Sequence, residues 1–146
     1  MIKIDYPEHE FKIVKEGTIS KIFDPFRKKW CVLTPEEWVR QNTLMYLTQV
    51  ANYPSSLMAI EKEISLGELK KRCDIVVYDP SGMPWMIIEC KEAKVPVNAK
   101  VLDQVLRYHS SLPVPYIMIT NGNNCFCFRK SEGHFDEIFT MPVFGL

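Results

Sequence analysis

Long hydrophobic segments are missing from this sequence, because its apolar runs extend for only a few residues and are too short to cross a bilayer. The first ten residues, MIKIDYPEHE, lack the basic and then apolar pattern of a secretory signal. The sequence also has no net charge, since 18 basic residues balance 18 acidic ones. We therefore expect a cytoplasmic protein without membrane contact. A globally basic nucleic-acid binder is excluded, while a local basic surface stays open.

Motifs of several common chemistries are also missing. The sequence has no glycine-rich phosphate loop, no Ser-His-Asp set, and no C-x-x-C or C…H spacing that would indicate a zinc site. We interpret the five cysteines as buried thiols of a reducing compartment. We interpret His9, His109 and His134 as surface or packing residues. A cysteine-based redox or zinc protein is kept as a third alternative.

The composition is that of a globular domain, with 146 residues of which 47% are hydrophobic and 25% are charged. That length fits one domain that builds its own hydrophobic core. We divide the chain into an N-terminal extension of short strands or a lid (1–33), a core (34–130) and a C-terminal tail (131–146).

The order of predicted elements favours an α/β fold. Thr34, followed by Pro35 and Glu37, has the pattern of a helix N-cap with a capping box, and this helix should run to about Ala51. A second helix is expected over 98–111, with a buried stripe formed by Val101, Leu102, Val105, Leu106 and Tyr108. Strand-like runs cover 58–65, 73–79, 84–91, 116–121 and 125–130. This αβββαβ order predicts a central mixed β-sheet flanked by helices.

Charged residues interrupt two otherwise apolar strands. Asp74 begins one of them, while Glu89 and Lys91 end the next and share one face of it. A turn signal at residues 79–82 predicts an antiparallel hairpin that sets Asp74 across from a residue between 87 and 89. Where that partner is odd-numbered, Asp74 lies on the face of Glu89, with side chains roughly 5 Å apart at Cβ.

Two carboxylates at that separation repel each other, so one retains a proton unless a cation lies between them. A hard divalent ion such as Mg²⁺ or Mn²⁺ is suited to this place. Such a site fits phosphodiester hydrolysis, in which the metal polarises the phosphoryl group and activates water while a lysine stabilises negative charge. The same residues are also compatible with an ordinary salt bridge at a strand end. From the residues alone, the metal site and the salt bridge are about equally supported.

Five segments, spread across roughly residues 22–128, follow the same order as the motifs of a known protein family. They are LTPEEWVRQ (33–41), CDIVVYD (73–79), MIIECK (86–91), QVLRY (104–108) and ITNG (119–122). The chain resembles the PD-(D/E)xK nuclease superfamily. More closely, it resembles the N-terminal nuclease domain of type I restriction enzyme R subunits, in a short stand-alone form. The resemblance implies a restriction-endonuclease-like core.

The resemblance also implies roles for individual residues. Asp74 and Glu89 match the acidic metal ligands, and Lys91 matches the catalytic lysine. The backbone carbonyl of Cys90 would be a further metal ligand. Glu37 matches an acidic residue on the first helix that lies near the metal, although the capping box explains a glutamate there equally well.

The second helix carries the residues that the resemblance assigns to nucleic acid. Gln104 and Tyr108 match a Q-x-x-x-Y motif and share one helix face. Lys100 and Arg107 would join them in contacting the nucleic-acid backbone. The alternative is an amphipathic helix whose tyrosine packs and whose basic residues are solvated.

The implied function is metal-dependent hydrolysis of DNA phosphodiesters, with Mg²⁺ or Mn²⁺ as the cofactor. The implied partners are DNA and a separate ATP-driven translocase or specificity subunit, and a homodimer is left open. The alternative from another class is a non-catalytic nucleic-acid-binding or assembly module that keeps the nuclease fold.

Overall fold

The computed structural model describes residues 1–145 and contains, within them, two α-helices and two β-sheets. The helices are α1 (Pro35–Gln49) and α2 (Ala99–His109), and a short 3₁₀ turn covers Ser55–Leu57. The strands are β1 (Ile13–Glu16), β2 (Ile19–Asp24), β3 (Lys29–Val32), β4 (Met58–Leu66), β5 (Leu69–Tyr78), β6 (Pro84–Cys90), β7 (Tyr116–Thr120), β8 (Cys125–Ser131) and β9 (His134–Ile138). Within residues 1–145, neither helix has both the length and the apolar character that crossing a membrane requires.

The larger sheet has six strands in the order β4-β5-β6-β7-β8-β9. Neighbouring strands are antiparallel except β6 and β7, which run parallel. A parallel pair needs a crossover connection, and α2 lies in the segment that joins these two strands. The predicted α/β class with a mixed sheet is confirmed, as is the predicted order of elements from the first helix to β8.

The central strands are apolar on both faces because each face is covered by a different layer. Ile75 and Ile88 belong to a buried cluster that includes residues of α1. Val76 and Ile87 belong to a second cluster on the other face, which includes Val105 of α2. The sheet is therefore sandwiched between the helices, as the continuous apolar runs predicted. Burial of these strands gives the residues at their ends a rigid support.

Each helix begins at a side-chain cap. The Thr34 hydroxyl accepts a hydrogen bond of 3.0 Å from the Glu37 backbone N–H, and the Asn98 side chain accepts one of 3.0 Å from the Val101 N–H. The capping box predicted at α1 is only half formed, because the Glu37 carboxylate turns away to bind arginines. The backbone N–H of Thr34 donates to the Val32 carbonyl instead.

The N-terminal extension contains the short strands that were one of its two predicted forms, whereas residues 131–145 are more ordered than the predicted tail. Residues 13–32 form a separate three-stranded antiparallel sheet, β1-β2-β3. The six-stranded sheet extends past the predicted core boundary at residue 130, because β9 adds an edge strand through a two-residue turn. That turn, Glu132-Gly133, has φ values of 47° and 82°, as a tight hairpin requires. Farther on, the Tyr53 hydroxyl donates to the Pro142 carbonyl at 2.6 Å and ties down residues that were predicted as a tail.

Candidate active site on strands β5 and β6

The hairpin of β5 and β6 sets Asp74 opposite Glu89. Ile75 pairs with Ile88, and one further step of this register brings the two acids together. The predicted antiparallel hairpin is therefore confirmed, and its register, continued by one step, gives Asp74 the odd-numbered partner Glu89. The Asp74 carboxylate also accepts a hydrogen bond of 2.8 Å from the backbone N–H of Cys90. The side chains of Asp74 and Glu89 are only 17% and 15% exposed, so their charges are poorly solvated.

Crowding and burial together change the protonation of Glu89. Burial, and after it the negative charge of Asp74, raise the pKa of Glu89 to about 9, while Lys91 opposes the shift. The acid pair therefore holds a proton at neutral pH when no additional cation is near. An arrangement of this kind favours binding of a positive ion, because the ion replaces that proton.

Lys91 and Glu89 line the same pocket, which has a volume of about 410 Å³. The backbone N–H of Lys91 donates to the Thr120 carbonyl at 2.8 Å, which anchors the end of β6 against β7. The opposite wall is α2, which contributes Gln104 and Tyr108. This pocket brings the predicted lysine, one predicted acid and both residues of the Q-x-x-x-Y motif around one space.

The other residues predicted on α2 differ in their surroundings. Tyr108 is exposed rather than part of the buried stripe, and the Lys71 ammonium lies 4.1 Å from the centre of its ring. Arg107 is exposed and donates to Asp103 at 2.8 Å. Lys100 is exposed in the first turn of the helix. The predicted roles of Lys100 and Arg107 at nucleic acid remain predictions.

Glu37 lies in a buried cluster of charges rather than beside the acid pair. Its carboxylate accepts hydrogen bonds from Arg27 at 2.6 Å and from Arg40 at 2.9 Å. The other end of the Arg40 guanidinium donates to Asp74 at 3.2 Å. Arg40 therefore stands between Glu37 and Asp74. The side-chain half of the predicted capping box is therefore absent, because two arginines bind the Glu37 carboxylate, and the role of Glu37 near a metal remains a prediction.

Besides Arg40, the charge of Glu36 on α1 also interacts with the acid pair. Partial burial raises its pKa, the negative charge of Asp74 raises it further, and Arg40 and Lys91 oppose the shift. Consecutive helical residues point about 100° apart, so Glu36 faces this region while Glu37 faces the arginines. Sequence reasoning missed Glu36 because a single residue step decides which of two adjacent acids faces the site.

Glu61 shows strain next to the site. The pairings of Ile60 with Ile75 and of Lys62 with Cys73 place it opposite Asp74. Its φ of 51° is in the left-handed region, which costs a non-glycine residue on the order of 1 kcal/mol. The Glu61 carboxylate lies 3.2 Å from Arg27, 3.7 Å from Arg40 and 3.5 Å from Arg72. These ion pairs offset the backbone strain.

His109 is a site residue that sequence reasoning missed. It is fully buried, and its Nε2 lies 2.8 Å from Glu89 Oε1, within hydrogen-bond distance. Burial, and after it the charge of Lys71, lower the pKa of His109 to about 4, while Asp74 opposes the shift, so the ring is neutral. The available signal was its spacing, since Val101, Val105 and His109 follow one another at intervals of four on α2.

Cys90 has the buried thiol that was predicted for the cysteines. Its side chain is fully buried in the cluster on the α1 face, opposite to the face of Glu89. Its backbone N–H is committed to Asp74. The role of its carbonyl as a metal ligand remains a prediction.

Comparison with known sequences gives the chain a family. Residues 35–142 match the family described as type I restriction enzyme R protein N terminus. The chain belongs to this family. Over 73 residues, half of its length, this family member is 33% identical to the type I restriction enzyme EcoAI endonuclease subunit of Escherichia coli. The aligned stretch is 9% of that protein's length. The predicted resemblance to R-subunit N-terminal domains is confirmed, and the β1-β2-β3 sheet precedes the matched residues.

Proposed function

We propose that this member of the R-protein N-terminal family is a metal-dependent DNA endonuclease domain with a restriction-endonuclease-like core. The observation that carries the proposal is that Asp74, in the middle of β5, and Glu89, near the end of β6, lie together with Lys91 beside them. A salt bridge between Glu89 and Lys91 does not explain this arrangement as well, because the ion-pair partners of Asp74 and Glu89 within residues 1–145 are Arg40 and His109. The family match supports the same conclusion independently.

The donor set at this position fits Mg²⁺ or Mn²⁺. Two carboxylates offer hard oxygen ligands, and the burial that raises the pKa of Glu89 to about 9 is the penalty that a divalent ion would relieve. Asp74 and Glu89 would hold the ion, and the carbonyl of Cys90 would be a third protein ligand. When bound, the ion supplies Lewis acidity toward the phosphate and a more acidic water.

The chain's own side chains have distinct tasks in this mechanism. The Lys91 ammonium orients the attacking water or stabilises the charge that grows on the phosphate oxygens. Arg40 fixes the orientation of Asp74 through its hydrogen bond of 3.2 Å. Glu37, which binds the same guanidinium, acts on the acid pair only through Arg40. Gln104 and Tyr108, on the opposite wall of the pocket, contact the DNA backbone.

The biological setting we propose is a restriction system of type I, with DNA as the substrate. The E. coli relative is described as an endonuclease subunit, which implies that other subunits act with it. A separate ATP-driven translocase or specificity subunit would therefore bring this chain to its cleavage site.

A plasmid nicking assay tests the proposal. In millimolar Mg²⁺ the wild-type protein should convert supercoiled DNA to open circles. Lys91→Ala should lower the rate by roughly 10²-fold or more, since a donor to developing charge is lost. Lys3→Ala removes a lysine that is 88% exposed and should cut at the wild-type rate. Equal cutting by wild type and Lys91→Ala would refute the proposal. DNA binding without cutting by any variant would favour the non-catalytic module.

A further inference from the structure

A second set of potential ligands lies beside the acid pair. Cys73 on β5, Glu89 on β6 and His109 on α2 each offer one ligand atom, and the three atoms lie within 4.8 Å of one another. We propose that these residues form a binding site for a thiophilic divalent cation of the Zn²⁺ class. Because Glu89 belongs to both sets, the site can compete with the Mg²⁺ site.

The chemistry of the three donors separates this site from the oxygen site next to it. Thiolate sulfur, imidazole nitrogen and carboxylate oxygen are the usual protein ligands of Zn²⁺. Mg²⁺ prefers an all-oxygen shell and keeps several waters. Three protein ligands leave a fourth tetrahedral position for water or another small ligand. The same region of the fold thus offers two sets of metal ligands. One consists of oxygen atoms and suits Mg²⁺, and the other combines sulfur, nitrogen and oxygen and suits Zn²⁺.

Only small side-chain movements are needed to complete the geometry. Bonds of about 2.0–2.3 Å at tetrahedral angles set ligand atoms roughly 3.3–3.6 Å apart. His109 Nε2 and Glu89 Oε1 are 2.8 Å apart and would have to separate slightly. The widest distance in the cluster is at most 4.8 Å and would have to close by about 1 Å, a range that χ rotations cover.

The histidine and the cysteine of the cluster differ in their hydrogen bonding. The Nδ1 atom of His109 is buried and has no hydrogen-bond partner among the described residues. The buried thiol of Cys73 has a long contact of 3.8 Å to the Lys71 carbonyl. The Nε2 atom of His109 faces Glu89, so an ion held there would not use the unpaired Nδ1, and the proposal rests on the convergence of the three donors. On binding, the thiol proton leaves to solvent as the sulfur–metal bond forms.

Occupation of this site would change catalysis, a consequence that rests on the proposed function. An ion held by Cys73, Glu89 and His109 uses the carboxylate that the Mg²⁺ site requires. Zn²⁺ should therefore inhibit Mg²⁺-dependent cleavage. Sequence reasoning did not find this site because its cysteine and histidine are 36 positions apart and come together only in the fold.

Cobalt spectroscopy of the intact chain tests the site without DNA. One equivalent of Co²⁺ in the presence of a non-thiol reductant should give the charge-transfer absorption of a Co²⁺–thiolate bond, and Zn²⁺ should abolish it. The band should be lost in Cys73→Ser and retained in Cys31→Ser, a control in a half-buried cysteine on β3. Absence of the band in the wild type, or its survival in Cys73→Ser, would overturn the proposal.

Two further measurements keep the test decisive. His109→Gln removes the imidazole, and a folded variant, judged by circular dichroism, should bind Co²⁺ at least tenfold more weakly. Unchanged affinity would count against the site. In the nicking assay, Zn²⁺ should inhibit the wild type more than Cys73→Ser, each compared with its own rate in Mg²⁺ alone. If the wild type does not cut at all, the proposed function fails, while the cobalt band still decides the site.

Discussion

Replacing Arg27 with alanine should destabilise the protein by about 3 kcal/mol. The guanidinium is 12% exposed and forms ion pairs with Asp24, which is fully buried, and with Glu37, which is 7% exposed. Breaking a buried ion pair typically costs 3–5 kcal/mol, because the remaining charge is left in the interior. We expect the lower end of that range. Asp24 keeps a backbone N–H donor from Phe26, and Glu37 keeps Arg40.

Urea unfolding followed by tryptophan fluorescence measures this loss. The matched control is Arg107→Ala, which breaks the pair with Asp103, where the two side chains are 79% and 63% exposed. An exposed pair on a helix contributes only about 0.3–0.5 kcal/mol. If Arg27→Ala costs no more than Arg107→Ala, the buried charge cluster does not hold the N-terminal sheet to α1 in the way described here.

Two further predictions concern Glu89 and Thr34. The raised pKa of Glu89 stabilises the protein fully below the ordinary pKa of a glutamate, and that contribution is lost as pH rises through about 9. Wild type should therefore lose melting temperature between neutral pH and pH values above 9 more steeply than Glu89→Gln, and parallel curves would contradict this. Thr34→Ala removes the N-cap of α1 and should cost about 1 kcal/mol in urea unfolding, whereas an unchanged midpoint would show that the cap contributes nothing.

The hairpin that carries the acid pair was predictable from the sequence because its determinants are local. A turn signal at residues 79–82 and two apolar runs fix the pairing, and the two-residue period of a strand then sets Asp74 on the face of Glu89. The buried α1 and α2 layers followed from helical spacing in the same way.

The charge cluster at Glu37 was not predictable for the opposite reason. A local capping interaction competes there with arginines brought in by tertiary folding. Arg27 comes from the N-terminal sheet, and its partner Glu61 comes from β4. Sequence spacing does not encode which residues of distant elements come together. The capping pattern therefore predicted the start of the helix correctly but not the position of the Glu37 side chain.

The face of α2 shows how a small rotational error changes the site. The sequence placed Tyr108 in the buried stripe, whereas His109 is buried and Tyr108 is exposed. Adjacent helical residues point in directions about 100° apart, so an error of one position predicts a buried tyrosine where the fold buries a histidine. The histidine beside Glu89, and with it the cluster that includes Cys73, was missed for this reason.

Binding of Mn²⁺, followed by electron paramagnetic resonance of the free ion, tests most directly whether Asp74 and Glu89 hold a divalent metal together. We expect one bound Mn²⁺ per chain at mildly alkaline pH, and we expect both Asp74→Asn and Glu89→Gln to abolish this binding. Asp136→Asn, an exposed acid on β9 whose side chain is 52% accessible, should bind as wild type does. No binding by wild type, or equal binding by wild type and both site variants, would contradict the claim.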